Sequence, residues 1–137
     1  MKWHKVKRTI YPATVYFCTG GTIETLKAKL KRLKLTPDED IDSKMNKRGE
    51  QLGWTLKMTT ADNKFAILIW IGKIHRNPRE ISVLTHECEH ACFYIFEYIG
   101  MQMPCHSCQE CATYLLDYLV EEGLKFFWKP QLYEVSL

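Results

Sequence analysis

The sequence predicts one α+β domain, and three observations predict it. A β-rich run followed by an amphipathic helix opens the chain. Two strand-like runs separated by a turn occupy the middle. Two long stretches with helical apolar spacing close it. The expected architecture is an antiparallel or mixed sheet of about three strands, packed on an N-terminal helix and two long C-terminal helices. At 137 residues, with 46% hydrophobic and 12% aromatic residues, the chain suits a single domain over 1–137 with one modest core.

The first strand is expected over Thr9 to Cys18, where Pro12 would make it an edge or bulged strand. Gly20-Gly21 ends it. Thr22 can then N-cap a helix whose Ile23, Leu26, Leu30 and Leu33 fall on one stripe, with Lys27, Lys31 and Lys34 pointing elsewhere. Thr36-Pro37-Asp38-Glu39 reads as the cap and first turn of a short helix, followed by a polar loop through Gly49. Leu52 to Thr59 alternates as a strand, Ala61-Asp62-Asn63 turns the chain, and Lys64 to Gly72 is apolar on both sides. Asn77-Pro78-Arg79-Glu80 starts a helix with an N-cap, a proline at the first position and a glutamate placed for a capping box. That helix should reach about Tyr98, with Gly100 ending it. A last helix is expected from about Ser107 to Phe127.

Charge is unevenly placed. The formal net charge is +3, yet residues 1–34 hold nine Lys/Arg against Glu24 alone. An acidic partner for this basic N-terminal third is one reading; a solvated helix face is the plainer one. No zinc-knuckle, helix-turn-helix or RNA-binding signature supports nucleic acid as a partner. No apolar run approaches the ~20 residues of a membrane span. The N-terminus lacks the apolar stretch and cleavage site of a signal peptide, so a cytoplasmic protein is expected.

The chemistry concentrates in Thr85-His86-Glu87-Cys88-Glu89-His90, an H-E-x-x-H pattern. Four residues are slightly more than one helical turn, so His86 and His90 lie one above the other and can share a cation, with Glu87 beside them as a general base. On the helical wheel Ile81, Leu84, Cys88, Ala91, Cys92, Ile95 and Ile99 share one stripe, and His86 and His90 fall nearly opposite with Val83 and Tyr94. A helix of this kind beside a buried strand is expected to be covered on both sides; the plain alternative is two neighbouring histidines with no metal. A zinc site also needs a third protein ligand and an open position. Glu110, twenty residues after His90 and near the start of the last helix, is the best candidate. It shares a polar stripe with Thr113, Tyr114 and Asp117, opposite a packing stripe of Leu115, Leu119 and Leu116.

H-E-x-x-H followed by a distal glutamate on the next helix resembles the gluzincin clan of zinc peptidases. Within it the chain is most similar to compact, zincin-like peptidase proteins of the sort that phages and prophages carry. The resemblance covers about Lys64 to Phe127, with Gln109-Glu110-Cys111-Ala112 as its second landmark. It implies one Zn2+ held by His86, His90 and Glu110, with Glu87 as base. It departs from larger members at Tyr114, where an aspartate often orients a ligand histidine; Asp117 is the candidate to replace it. No separate domain supplies an oxyanion donor, which leaves His106, Tyr114 and His75 as candidates. The function implied is hydrolysis of peptide bonds in an intracellular protein or peptide, with the Phe65–Ile71 strand holding substrate if it forms an edge. The alternative is a catalytically silent zinc-fold binder, phage-encoded and acting in host cytoplasm on a defence or regulatory factor.

Five of the six cysteines crowd between Cys88 and Cys111, which argues for free thiols or metal chemistry over a disulfide framework. Cys105 and Cys108 form a C-x-x-C that could join Cys88 and Cys92 in a structural zinc site, or act as a redox pair. The wheel keeps Cys88 and Cys92 away from the histidines, and buried cysteine also behaves as a small hydrophobe. Cys18 is expected to pack in a strand.

Overall fold

Alternating and continuous apolar runs build the sheet, and the computed structural model describes residues 1–6, 9–46, 52–72, 77–102 and 109–128. Strands β1 (Lys2–Lys5), β2 (Thr14–Thr19), β3 (Thr36–Pro37), β4 (Gly53–Thr59) and β5 (Phe65–Ile71) form one mixed sheet in the order β1-β2-β5-β4-β3. Among these strands β2 and β5 run parallel, and the pairs β1–β2, β4–β5 and β3–β4 are antiparallel. Among the described residues four helices complete the α+β domain: α1 (Ile23–Arg32), α2 (Ile41–Asn46), α3 (Pro78–Tyr98) and α4 (Gln109–Trp128).

The sheet has two more strands than expected. β1 is a short run of mostly polar residues without strand periodicity, held by pairing Lys2 to Lys5 against Thr19 to Tyr16. β3 forms where a helix start was expected; Thr36 and Pro37 pair with Thr59 and Met58, and α2 begins only at Ile41. Proline is tolerated there because β3 is an edge. β2 is displaced toward the C-terminus, so that Pro12 lies outside it. It is an interior strand, flanked by β1 and β5, rather than an edge.

Each face of the sheet carries its own core. Tyr16, Cys18, Leu56, Met58 and Leu68 meet Leu26 and Leu30 of α1 and Ile41 of α2 on one side. Val15, Phe17, Ile67, Ile69 and Ile71 meet Leu84, Cys88, Ala91, Ile95, Leu115 and Leu119 of α3 and α4 on the other. Burial on both sides explains why β5 reads as a continuous apolar run.

The helix ends follow local chemistry. Thr22 caps α1 in a reciprocal box with Thr25. Asn77 caps α3, its side chain accepting from the Glu80 amide at 3.0 Å. The expected return bond from Glu80 is not made. Its side chain is drawn into the interior, where Oε2 has no partner among the described residues.

α4 lies antiparallel beside α3 and covers the β1–β2 side of the sheet. Phe127 stands edge-on to Phe17, and Phe126 stacks on His4. Gly123 allows this approach, since a Cβ there would come within 2.9 Å of Leu84 and 3.3 Å of Phe17.

Candidate metal centre

α3 crosses β4 and β5, and the two strands present it with different chemistry. β5 offers Ile67, Ile69 and Ile71 to the core beneath α3. β4 alternates, with Trp54, Leu56 and Met58 entering the opposite core. Gly53, Thr55, Lys57 and Thr59 therefore form a polar stripe on the α3 side. Above it stand Glu87 and Tyr94, with His86 and His90 on the outer flank of the same helix side.

His86 and His90 are brought together. Their Nε2 atoms lie 3.1 Å apart, with ring centroids at 4.6 Å and planes at 88°. Two imidazoles bound to one tetrahedral ion at ~2.0–2.1 Å each would place their nitrogens ~3.3–3.4 Å apart, so the pair is close to a two-ligand geometry. The same distance also suits one hydrogen bond between neutral rings. The expected cover over this side is partial: His90 is half-buried and His86 exposed.

Glu87 is buried at 7% exposure. Thr55, a residue 4% exposed, donates from Oγ1 to its Oε2 at 2.6 Å, with Oγ1 also 3.0 Å from the Glu87 carbonyl. Gly53 makes room for it, because a Cβ there would meet Glu87 Cγ at 3.1 Å and Val83 at 3.0 Å. One turn beyond His90, Tyr94 stacks toward it with centroids 6.3 Å apart, and the Lys57 ammonium sits 5.0 Å over the Tyr94 ring. Burial first, then the charges of Glu39, Glu87 and Glu97, raise the Tyr94 phenol above its ordinary value, so it keeps its proton.

The candidates on α4 are placed differently. Glu110, Thr113, Tyr114 and Asp117 do share a stripe, as the spacing predicts, but all four are exposed, Tyr114 at 68%. α4 sits toward β1 and β2, whereas the histidine flank of α3 faces β4 and beyond. Glu110 is thus not gathered with the histidines. Among the described residues no group of three or more His, Cys, Asp or Glu side chains is arranged to hold a metal. His75, His106, Cys105 and Cys108 lie outside the described residues.

The thiols on α3 behave as packing. Cys88 and Cys92 are buried in the core facing β5 and α4, and both are free. Desolvation pushes Cys92 up to about 12 and holds Cys88 well above the ordinary thiol range, so neither is a ready thiolate at neutral pH. Cys18 is buried on β2 in the opposite core.

A groove of about 480 Å3 continues from Tyr94 along α3, walled by Lys57, Thr59, Phe65, Glu97 and Tyr98. β5 offers no strand edge to a substrate, being flanked by β2 and β4. The outer side of β4 is covered too: β3 pairs with Met58 and Thr59, the Asp38 N–H donates to the Lys57 carbonyl at 3.0 Å, and Lys44 Nζ donates to the Thr55 carbonyl at 2.6 Å.

Thr55 and Lys57 are the site residues that sequence reasoning missed. Alternation in β4 implies a polar side, and such a side is ordinarily assigned to solvent. The signal that corrects this is the neighbouring run Phe65–Ile71: a strand apolar on both sides requires cover on both sides, so the polar side of its hairpin partner must lie beneath a helix too.

No protein family, curated protein or solved structure matches the chain. No helix among the described residues is long and apolar enough to cross a membrane.

Proposed function

We propose that this chain is a small zincin-like hydrolase that uses one zinc ion to cleave peptide bonds in a protein or peptide, in the cytoplasm. The supporting observation is the His86–His90 pair, with Nε2 atoms 3.1 Å apart, on the same helix side as the buried and anchored carboxylate of Glu87. The two imidazoles fit a shared ion. Glu110 as third ligand rests on the gluzincin resemblance, since α4 does not bring it to the pair.

Bound zinc would lower the pKa of water toward ~7 and polarise the scissile carbonyl. The protein's own work is narrower. Glu87 accepts a proton from the attacking water and returns it to the leaving nitrogen. Tyr94, whose ring stacks toward His90 with centroids 6.3 Å apart, would donate to developing negative charge, whereas Tyr114 is exposed. The groove beyond Tyr94 takes a substrate side chain flanking the cleaved bond.

A second reading keeps the zinc fold without turnover and makes the protein a binder, phage-encoded, of a host factor. It draws on the opposite side of the molecule, where Lys27, Lys31 and Lys34 line a groove of about 490 Å3 over Leu30, Leu35 and Ile41. Lys27 is paired there with Asp42 at 2.7 Å, and this surface would receive an acidic partner.

The deciding experiment combines zinc titration with hydrolysis of unfolded protein and peptide mixtures by wild type and Glu87→Gln. One zinc per chain and a drop in turnover of at least about a hundredfold in the variant are expected, because the change keeps the ligands and removes the base. Zinc binding with equal, background hydrolysis in both proteins would favour the binder.

A further inference from the structure

We propose that Thr55 is the positioning residue that holds Glu87 ready for proton transfer. This inference rests on the hydrolase reading above. A glutamate on a helix carries three rotatable side-chain bonds, and a buried carboxylate without a donor is costly. Thr55 answers both problems. Its hydroxyl has one proton to give. The 2.6 Å contact to Oε2 and the 3.0 Å contact to the Glu87 carbonyl compete for it, and the shorter contact to the charged acceptor wins.

The donor is itself held on several sides. Thr55 is β-branched, with a stiff χ1, and pairs with Ile69 in the β4–β5 ladder. Its carbonyl accepts from Lys44 Nζ at 2.6 Å, and Lys44 is paired with Glu39 at 3.2 Å. α2 therefore fastens the outer side of β4 at the residue that orients the base. No other described side chain donates to the Glu87 carboxylate, so anchoring Oε2 leaves Oε1 to work on water. Gly53 completes the seat by leaving space for the glutamate stem.

The test compares Thr55→Val, Thr55→Ser, Glu87→Gln and the Thr55→Val/Glu87→Gln double variant in zinc content, kcat, KM and unfolding midpoint. Thr55→Val keeps the β-branch and replaces the hydroxyl by a methyl group, so the Glu87 carboxylate loses its donor. Its kcat should fall about 10- to 100-fold, the range typical of residues that orient a metal-site group, with KM and zinc content within about twofold of wild type. Thr55→Ser should recover most of the loss, and Thr55→Val should add nothing in the Glu87→Gln background. An unchanged kcat in Thr55→Val, failure of the serine variant to recover it, or an equal further loss in the Glu87→Gln background would overturn the proposal. If wild type shows no Glu87-dependent hydrolysis, the hydrolase reading has failed instead. The contact is then judged from the unfolding midpoints: non-additive shifts in the double variant uphold it, and additive shifts refute it.

Discussion

Helices α3 and α4 are of nearly equal length, 21 and 20 residues, and their sequences follow one plan. Each buries an apolar stripe, and each carries a second stripe of metal-capable or proton-transferring side chains. On α3 the second stripe meets β4, where Gly53 and Thr55 lie against the buried Glu87 and Lys57 lies over the half-buried Tyr94; His90 between them is half-buried. On α4 it meets solvent, and Glu110, Thr113, Tyr114 and Asp117 are all exposed. Similar patterns thus acquire different meanings from what lies opposite them. A carboxylate in a dry seat with one donor is constrained in geometry; one on an open helix face is free to reorient and is screened by water.

The largest effect that tests this contrast is on metal binding. His90→Ala should weaken zinc binding about a thousandfold, or about 4 kcal/mol, because it removes one of the two imidazoles brought together for a shared ion. With α4 placed as described, Glu110→Gln should cost less than about tenfold. Calorimetric titration of both variants decides the point. A loss for Glu110→Gln equal to that for His90→Ala would establish Glu110 as a ligand and erase the difference between the helices.

The two helices should differ much less in their apolar stripes. Ile95 on α3 and Leu119 on α4 are both fully buried in the same core. Ile95→Ala and Leu119→Ala should each destabilise the fold by about 3 kcal/mol, the usual cost of a large-to-small core change. Chemical denaturation would measure it. A loss under about 1 kcal/mol at Leu119 would mean that α4 is docked far more loosely than α3, and that its polar stripe has no fixed orientation to compare.

What was legible in the sequence follows the same division. Elements that bury a face announced themselves: α1 by Leu26 and Leu30, the β4–β5 hairpin by its turn, α3 by Asn77-Pro78 and its stripe, α4 by Leu115 and Leu119. β1 and β3 did not, because they owe their form to pairing partners rather than to their own periodicity. At the site, the i, i+4 spacing of His86 and His90 was sufficient, since helical geometry alone stacks them. The role of Thr55 was hidden because it depends on a contact 32 residues away in sequence. The placement of Glu110 was beyond reach for a related reason. Spacing fixes which face of α4 it occupies, but only the packing of Gly123 on Leu84 and Phe17 fixes which flank of α3 that helix takes.

The smallest expected effect is the sharpest on α4's polar stripe. Tyr114 is a large aromatic residue at 68% exposure, and Asp117 one turn on is exposed as well. Surface changes of this kind typically alter stability by no more than about 0.5 kcal/mol. Tyr114→Ala and Asp117→Asn should therefore leave both stability and zinc affinity at wild-type values, although these are the residues nominated by analogy for orienting a ligand or stabilising an oxyanion. Tyr94→Phe is the matched change on α3. It preserves the ring beneath Lys57 and removes the hydroxyl, so it should lower kcat while zinc content and unfolding stay unchanged. Turnover assays on the three variants would reverse the assignment if Tyr114→Ala lost activity and Tyr94→Phe kept it, because the functional phenol would then belong to the helix whose second face is open to water.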